Sequence, residues 1–125
     1  MVKTAFSALI ALLIIVGISW FELSFVNQTF SEFRVILEGL YKKVQSDDAT
    51  FEDGYAVREF WLEKKEILHV WLPHTSIASV ENELNEAMGY LRQGNTEDAL
   101  PKIEILINMT LIIPEAYTIS LKNVF

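Results

Sequence analysis

The chain has 125 residues, 51% of them hydrophobic, with ten Lys and Arg against seventeen Asp and Glu and a formal net charge of −7. An acidic balance without a basic stripe argues against a nucleic-acid or anionic-lipid-binding surface. The absence of cysteine excludes disulfides, thiol nucleophiles and Cys-based zinc sites.

The first element is the charge-free run Thr4–Phe21, "TAFSALIALLIIVGISWF". Eighteen residues reach the lower end of the ~17–25 needed for a membrane-spanning helix. A cleaved signal peptide is the rival reading, with Gly17 and Ser19 as a small-x-small site, but signal cores are shorter, about 7–15 residues. A buried core helix is the third. The run is read as an uncleaved anchor, with Trp20 and Phe21 at the lipid–water interface and Lys3 at the other end. Lys3 precedes the run and Glu22 follows it. The positive-inside bias then expects residues 1–3 in the cytoplasm and residues 22–125 outside the cell membrane. The expected partners are the lipid bilayer, through 4–21, and a membrane protein; nucleic acid is not expected.

Beyond the anchor, Leu23, Val26, Phe30, Phe33, Leu37, Leu40 and Val44 are spaced 3, 4, 3, 4, 3, 4. That is a heptad seam. No proline interrupts Thr4–Val44, so one helix is expected to run through anchor and seam, about 60 Å long. Its soluble part covers about 22–45.

"QSDDATFEDG" ends the pattern, and Thr50 with Asp53 forms a variant capping box. A second helix is expected over about 51–72, with Val57, Phe60, Trp61, Ile67, Leu68, Trp71 and Leu72 on its apolar face. Pro73 disfavours helix at the residue before it. Thr75 or Ser76 can cap a third helix, about 76–93, with Ile77, Val80, Leu84, Ala87 or Met88, and Leu91 inward. Gly94 suits a helix C-terminus, and Asn95 or Thr96 starts a fourth helix, about 96–121. "IEILINMTLIIP" is β-branched enough to suit a strand, but nothing else in the chain offers it a partner strand. The stretch "EAMGYLRQGNTEDALPKI" has the layout of a tetratricopeptide hairpin. No second copy follows at a 34-residue period, so it reads as a generic helical hairpin.

The fold expected is all-α: an N-terminal transmembrane helix continuing into a small antiparallel bundle of about four helices. Four alternating helices would bring Ile103, Leu106, Ile107, Leu111 and Leu121 back beside the seam. The alternative, a parallel coiled-coil dimer, is a poorer match for two Phe in the seam.

Candidate chemistry centres on "EILHVWLPHTS". Glu66 and His69 form one E-x-x-H pair, whereas a di-iron bundle site needs two such pairs and two further glutamates. His69 and His74 are not at zinc-protease spacing. No nucleophile elbow or phosphate-binding loop is present. Glu66, His69 and His74 are therefore only weak metal candidates. Structural roles are expected for His74, as a hydrogen-bonding group at the corner, and for Trp61 and Trp71, as core. No catalytic residue or cofactor is assigned.

An anchor followed by "FWLEKKEILHVWLPHTSIASVENEL" and a closing "PEAYTISLKNVF" resembles a family of small single-pass proteins of Gram-positive bacteria, known only as a domain of unknown function, DUF4363. Trp61, His74, the acidic helix from Glu81, and Ser120-Leu121-Lys122-Asn123 carry the resemblance, which implies a structural role for Asn123. It implies an anchored helical domain and no activity. The functional expectation is a non-catalytic, membrane-anchored interaction or accessory protein. The alternative is an extracytoplasmic sensor domain that binds a small ligand or metal.

Overall fold

The computed structural model describes the backbone of residues 2–124 and the side chains of residues 2–119. Four helices follow one another: α1 (Val2–Gln45), α2 (Phe51–Leu68), α3 (His74–Arg92) and α4 (Thr96–Val124). The connections are short, so sequential helices are antiparallel neighbours. Helix α1 packs on α2 and α4, and α3 packs on the same two, which sets the helices at the corners of a square. The described residues contain no strand, and 103–113 is helical throughout.

One side of the core is the expected seam of α1. Val26, Phe30, Phe33, Leu37, Leu40 and Val44 are all buried, and Leu23 at its upper end is half-buried. Thr29 is buried with them. Against this seam lie Val57 and Trp61 of α2, Ile77, Val80, Leu84, Ala87 and Met88 of α3, and Ile103 and Leu106 of α4. Phe33 sits between aromatic partners, with ring centroids 5.8 Å from Phe60 and 5.4 Å from Trp61. A dimer is not needed to cover the seam, because α4 already covers it.

Residues 2–21 take no part in this core. Every side chain from Val2 to Phe21 is exposed except Ser19, which is half-buried. The first half of α1 thus projects from the bundle as a lone apolar helix.

The helix ends show how the sequence stops each element. At Thr50, the N–H donates to the Asp53 carboxylate at 2.9 Å, and the Asp53 N–H donates to Thr50 Oγ1 at 3.4 Å. This reciprocal capping box starts α2. Helix α3 ends in a Schellman motif: Asn95 N–H donates to the Tyr90 carbonyl and Gly94 N–H to that of Leu91. Gly94 takes φ +72° there, a conformation glycine adopts without strain. Helix α1 ends the same way through Asp48 N–H to Lys43 and Asp47 N–H to Val44. Here the left-handed position is held by Asp47, at φ +62°. Asn95 starts α4, accepting from the Asp98 N–H at 3.2 Å and donating to the Asp98 carboxylate at 2.7 Å.

Several boundaries differ from expectation. Helix α2 stops at Leu68, four residues early. The chain tightens into i→i−3 bonds, Val70 to Ile67 and Trp71 to Leu68, before Pro73 takes an extended conformation. Neither Thr75 nor Ser76 caps α3. The Pro73 carbonyl accepts from the Ser76 and Ile77 N–H groups, and no side chain caps this end. Ile67 and Leu111, expected inside, are 44% and 47% exposed. In α2 Leu68, also expected inward, is buried beside the exposed Ile67, and in α4 the buried stripe runs through Thr110 and Pro114 in place of Leu111.

Helix α4 runs through Pro101 and Pro114. A proline lacks the donor for the carbonyl four residues back. For Pro114 that carbonyl is Thr110's, and near it two threonine hydroxyls bond other carbonyls of the helix: Thr110 Oγ1 donates to Ile107, and Thr118 Oγ1 donates to Pro114 at 2.9 Å. The Thr110 hydroxyl is thereby reconciled with full burial.

Candidate functional site

The end of the bundle from which the apolar half of α1 emerges is the candidate site. Two contacts define it. Phe25 of α1 meets Trp71 edge-on, with centroids 5.2 Å apart, so the α2–α3 corner lies beside the start of the α1 seam. The Tyr117 hydroxyl of α4 donates to Glu22 at 3.3 Å. Burial first, and then the Glu22 charge, push the Tyr117 phenol above its ordinary range, so it keeps its proton as donor. Glu22 is the first charged residue after the apolar run, and this bond ties it to α4 at the level where that run ends.

Between this corner and α4 lies a half-open cavity of about 350 Å³, lined by residues that include Trp71, Pro73, Ser76, Ile112, Ala116 and Tyr117. Its walls are mostly apolar, with the Ser76 and Tyr117 hydroxyls as polar points.

The histidine corner is beside it. His69 and His74 are both exposed, with rings stacked 5.6 Å apart at 20°. His69 is the C-cap of α2 and His74 the first residue of α3. Glu66, one turn before His69, is exposed. Among the described residues, no three His, Asp or Glu side chains gather as a metal-binding group. The structure therefore brings the two imidazoles together and leaves Glu66 outside any such group. His74, expected as a hydrogen-bonding group at the corner, is exposed at the first position of α3, and main-chain donors to the Pro73 carbonyl start that helix.

Trp61 is 2% exposed and Trp71 half-buried. Lys3, Trp20 and Phe21 are exposed on the projecting half of α1. Asn123 lies outside the residues whose side chains are described.

The remaining ordered charges join helices to each other. Lys43 pairs with Asp53 at 2.9 Å across α1 and α2, and Lys65 pairs with Glu81 across α2 and α3. Lys102 bridges Glu83, at 3.2 Å, and Glu86, at 2.5 Å, across α3 and α4. The hydrogen bond to Glu86, then that to Glu83, holds Lys102 above the usual lysine range. The Glu22–Tyr117 and Phe25–Trp71 contacts were not legible in the sequence, since each depends on how far one helix slides along another.

The architecture defines a class: an antiparallel four-helix bundle whose first helix extends far beyond it as an apolar rod. The family model for a domain of unknown function, DUF4363, matches residues 22–124, and the chain belongs to that family. The match begins at Glu22, where the charge-free run ends. Neither a curated protein nor a solved structure matches the chain.

Proposed function

We propose that this protein is a membrane-anchored helical interaction module: an accessory protein, not an enzyme, whose bundle is held at the outer face of the cell membrane by residues 4–21. The observation that carries the reading is the two-part character of α1. Helix α1 is long and apolar enough to cross a membrane, and its apolar window is only 6% buried. The same helix continues without a break into the wall of the bundle. An apolar helix left in water would be costly, at about 25 cal/mol per Å² of apolar surface; in a bilayer it costs nothing. Lys3 on one side and Glu22 on the other support an N-terminus in the cytoplasm.

The test is crosslinking of the full chain in native membranes followed by mass spectrometry. The reading expects the chain to resist carbonate extraction and one membrane protein to crosslink reproducibly through the bundle lysines. A chain released by carbonate, or one crosslinked only within itself, contradicts it.

A second reading, a ligand or metal sensor, is favoured by the stacked His69 and His74. A thermal-shift series with zinc and haem tests it. A shift that disappears in His69→Ala and in His74→Ala establishes the sensor reading; no shift removes it.

A further inference from the structure

We propose that the half-open cavity between the α2–α3 corner and α4 takes an acyl chain of a bilayer lipid. This proposal rests on the reading of residues 4–21 as a membrane span.

The position of the cavity is the first argument. Tyr117 lines it and bonds Glu22, the residue that follows the apolar run. Helices α1 and α4 are antiparallel, so each step along α4 beyond Tyr117 is a step back along α1 towards its apolar half. Ile119 is thus level with about Trp20, and the backbone of α4 continues to Val124. Ser19 is the half-buried exception in the otherwise exposed run. The cavity therefore opens at the lipid–water boundary of a membrane seated on 4–21.

Charge is the second argument. Residues 67–80, which form the whole α2–α3 corner, contain no Asp, Glu, Lys or Arg. The acidic clusters Asp47–Asp48–Glu52–Asp53 and Glu97–Asp98 sit at the loops of the opposite end. The bundle thus turns an uncharged corner to the span, with Glu22 of α1 and Glu115 of α4 as the carboxylates beside it; burial of the corner against lipid carries no cost of stripping water from ionised groups. Ile112, which lines the cavity, is 53% exposed, and Val70, next in sequence to the lining Trp71, is 72% exposed. A soluble domain has no need of such groups around an apolar opening, whereas an amphipathic surface resting on acyl chains uses them.

The third argument is chemistry and size. The cavity is about 350 Å³, within the ~300–1,000 Å³ of small-molecule sites. Its indole, proline and isoleucine walls suit a hydrocarbon chain. Ser76 supplies a hydroxyl that can donate to an ester carbonyl at the mouth, while the Tyr117 hydroxyl stays bonded to Glu22.

The experiment uses the full chain in phosphatidylcholine–phosphatidylglycerol nanodiscs containing a phospholipid with a diazirine on its acyl chain. After illumination, adducts are mapped by peptide mass spectrometry. The expected result is adducts on two regions: the span 4–21, and the cavity peptides 71–76 and 112–117. Ala116→Trp fills the mouth and should abolish the cavity adducts while leaving those on the span. Ile112→Ser, at an exposed position, makes the wall polar without adding bulk and should reduce them; a thermal melt confirms that each variant is folded. Adducts confined to 4–21, or cavity adducts unchanged in both variants, overturn the proposal and leave the membrane span standing. No adducts on 4–21 overturn both. Labelling of the cavity by a soluble short-chain diazirine acid, without labelling by the phospholipid, assigns it to a soluble ligand and overturns the bilayer source.

Discussion

The two halves of α1 have the same backbone and opposite surroundings. From Val2 to Phe21 apolar side chains point in every direction and none is buried, whereas from Glu22 to Gln45 most gather on one buried or half-buried face, with Val35 the exposed exception. The difference lies in arrangement. A helix that is apolar all round has no preferred face and needs an apolar solvent; one apolar at 3- and 4-residue intervals needs a single partner. The first half is long and apolar enough to cross a membrane, and the second packs on α2 and α4.

The most damaging test of this contrast is a pair of truncations. Phe33→Ala removes a buried ring stacked between Phe60 and Trp61 and should destabilise the bundle by about 3–5 kcal/mol. Leu12→Ala, on the exposed half, should leave bundle unfolding in detergent unchanged. Equal effects would mean that the halves are not energetically separate. Next in size, Leu12→Arg places a charge mid-span at a cost of about 2.5–3.5 kcal/mol for insertion. Fractionation should find much of this variant outside the membrane, still folded by circular dichroism.

Smaller effects sharpen the picture of the bundle itself. Thr50→Ala breaks the capping box of α2 and should cost about 1 kcal/mol in chemical denaturation. The box also predicts a pH dependence. The Thr50 N–H bond first, and then the Lys43 bond, hold the Asp53 carboxyl below its ordinary 3.8. Its contribution is therefore present above that value and lost as pH falls through the lower folded value. Wild type should exceed Asp53→Asn in stability at neutral pH, with the gap closing below pH ~4. Asp47→Gly acts in the other direction. It relieves a left-handed non-glycine residue at the end of α1 and should stabilise by about 1 kcal/mol, raising the melting temperature. The smallest effects belong to the histidines: both are exposed, so His69→Ala and His74→Ala should each stay within about 0.5 kcal/mol.

Most of the fold was legible because the seam of α1 is strictly periodic. Six of its seven residues are buried, and the partner on α4 followed from Ile103 and Leu106. Legibility failed where hydropathy and geometry part. In α4 the buried line runs Ala99, Ile103, Leu106, Thr110, Pro114. A reading by apolarity passes over Thr110 and Pro114 and selects Leu111, because it cannot see the Thr110 hydroxyl bonded to its own helix. In α2 the apolar residues are too many for one stripe: Val57, Trp61 and Leu68 are buried, Phe60 is half-buried against Phe33, and Ile67 is left in solvent. The corner was misread for a related reason. Pro73 announces a boundary, but the sequence does not say that α3 starts at the very next residue. The candidate cavity was not legible at all. It depends on the sliding of α4 along α1 that pairs Tyr117 with Glu22, 95 residues apart.

The central claim is that α1 crosses the bilayer at its apolar half and holds the bundle outside. The chain has no cysteine, so a single Ser46→Cys, at the far end of α1 from the span, reports location without background. Intact cells are treated with a membrane-impermeant maleimide, and a parallel sample is treated after lysis. The account predicts full labelling of Ser46→Cys in intact cells with no gain on lysis; labelling that appears only after lysis would contradict it.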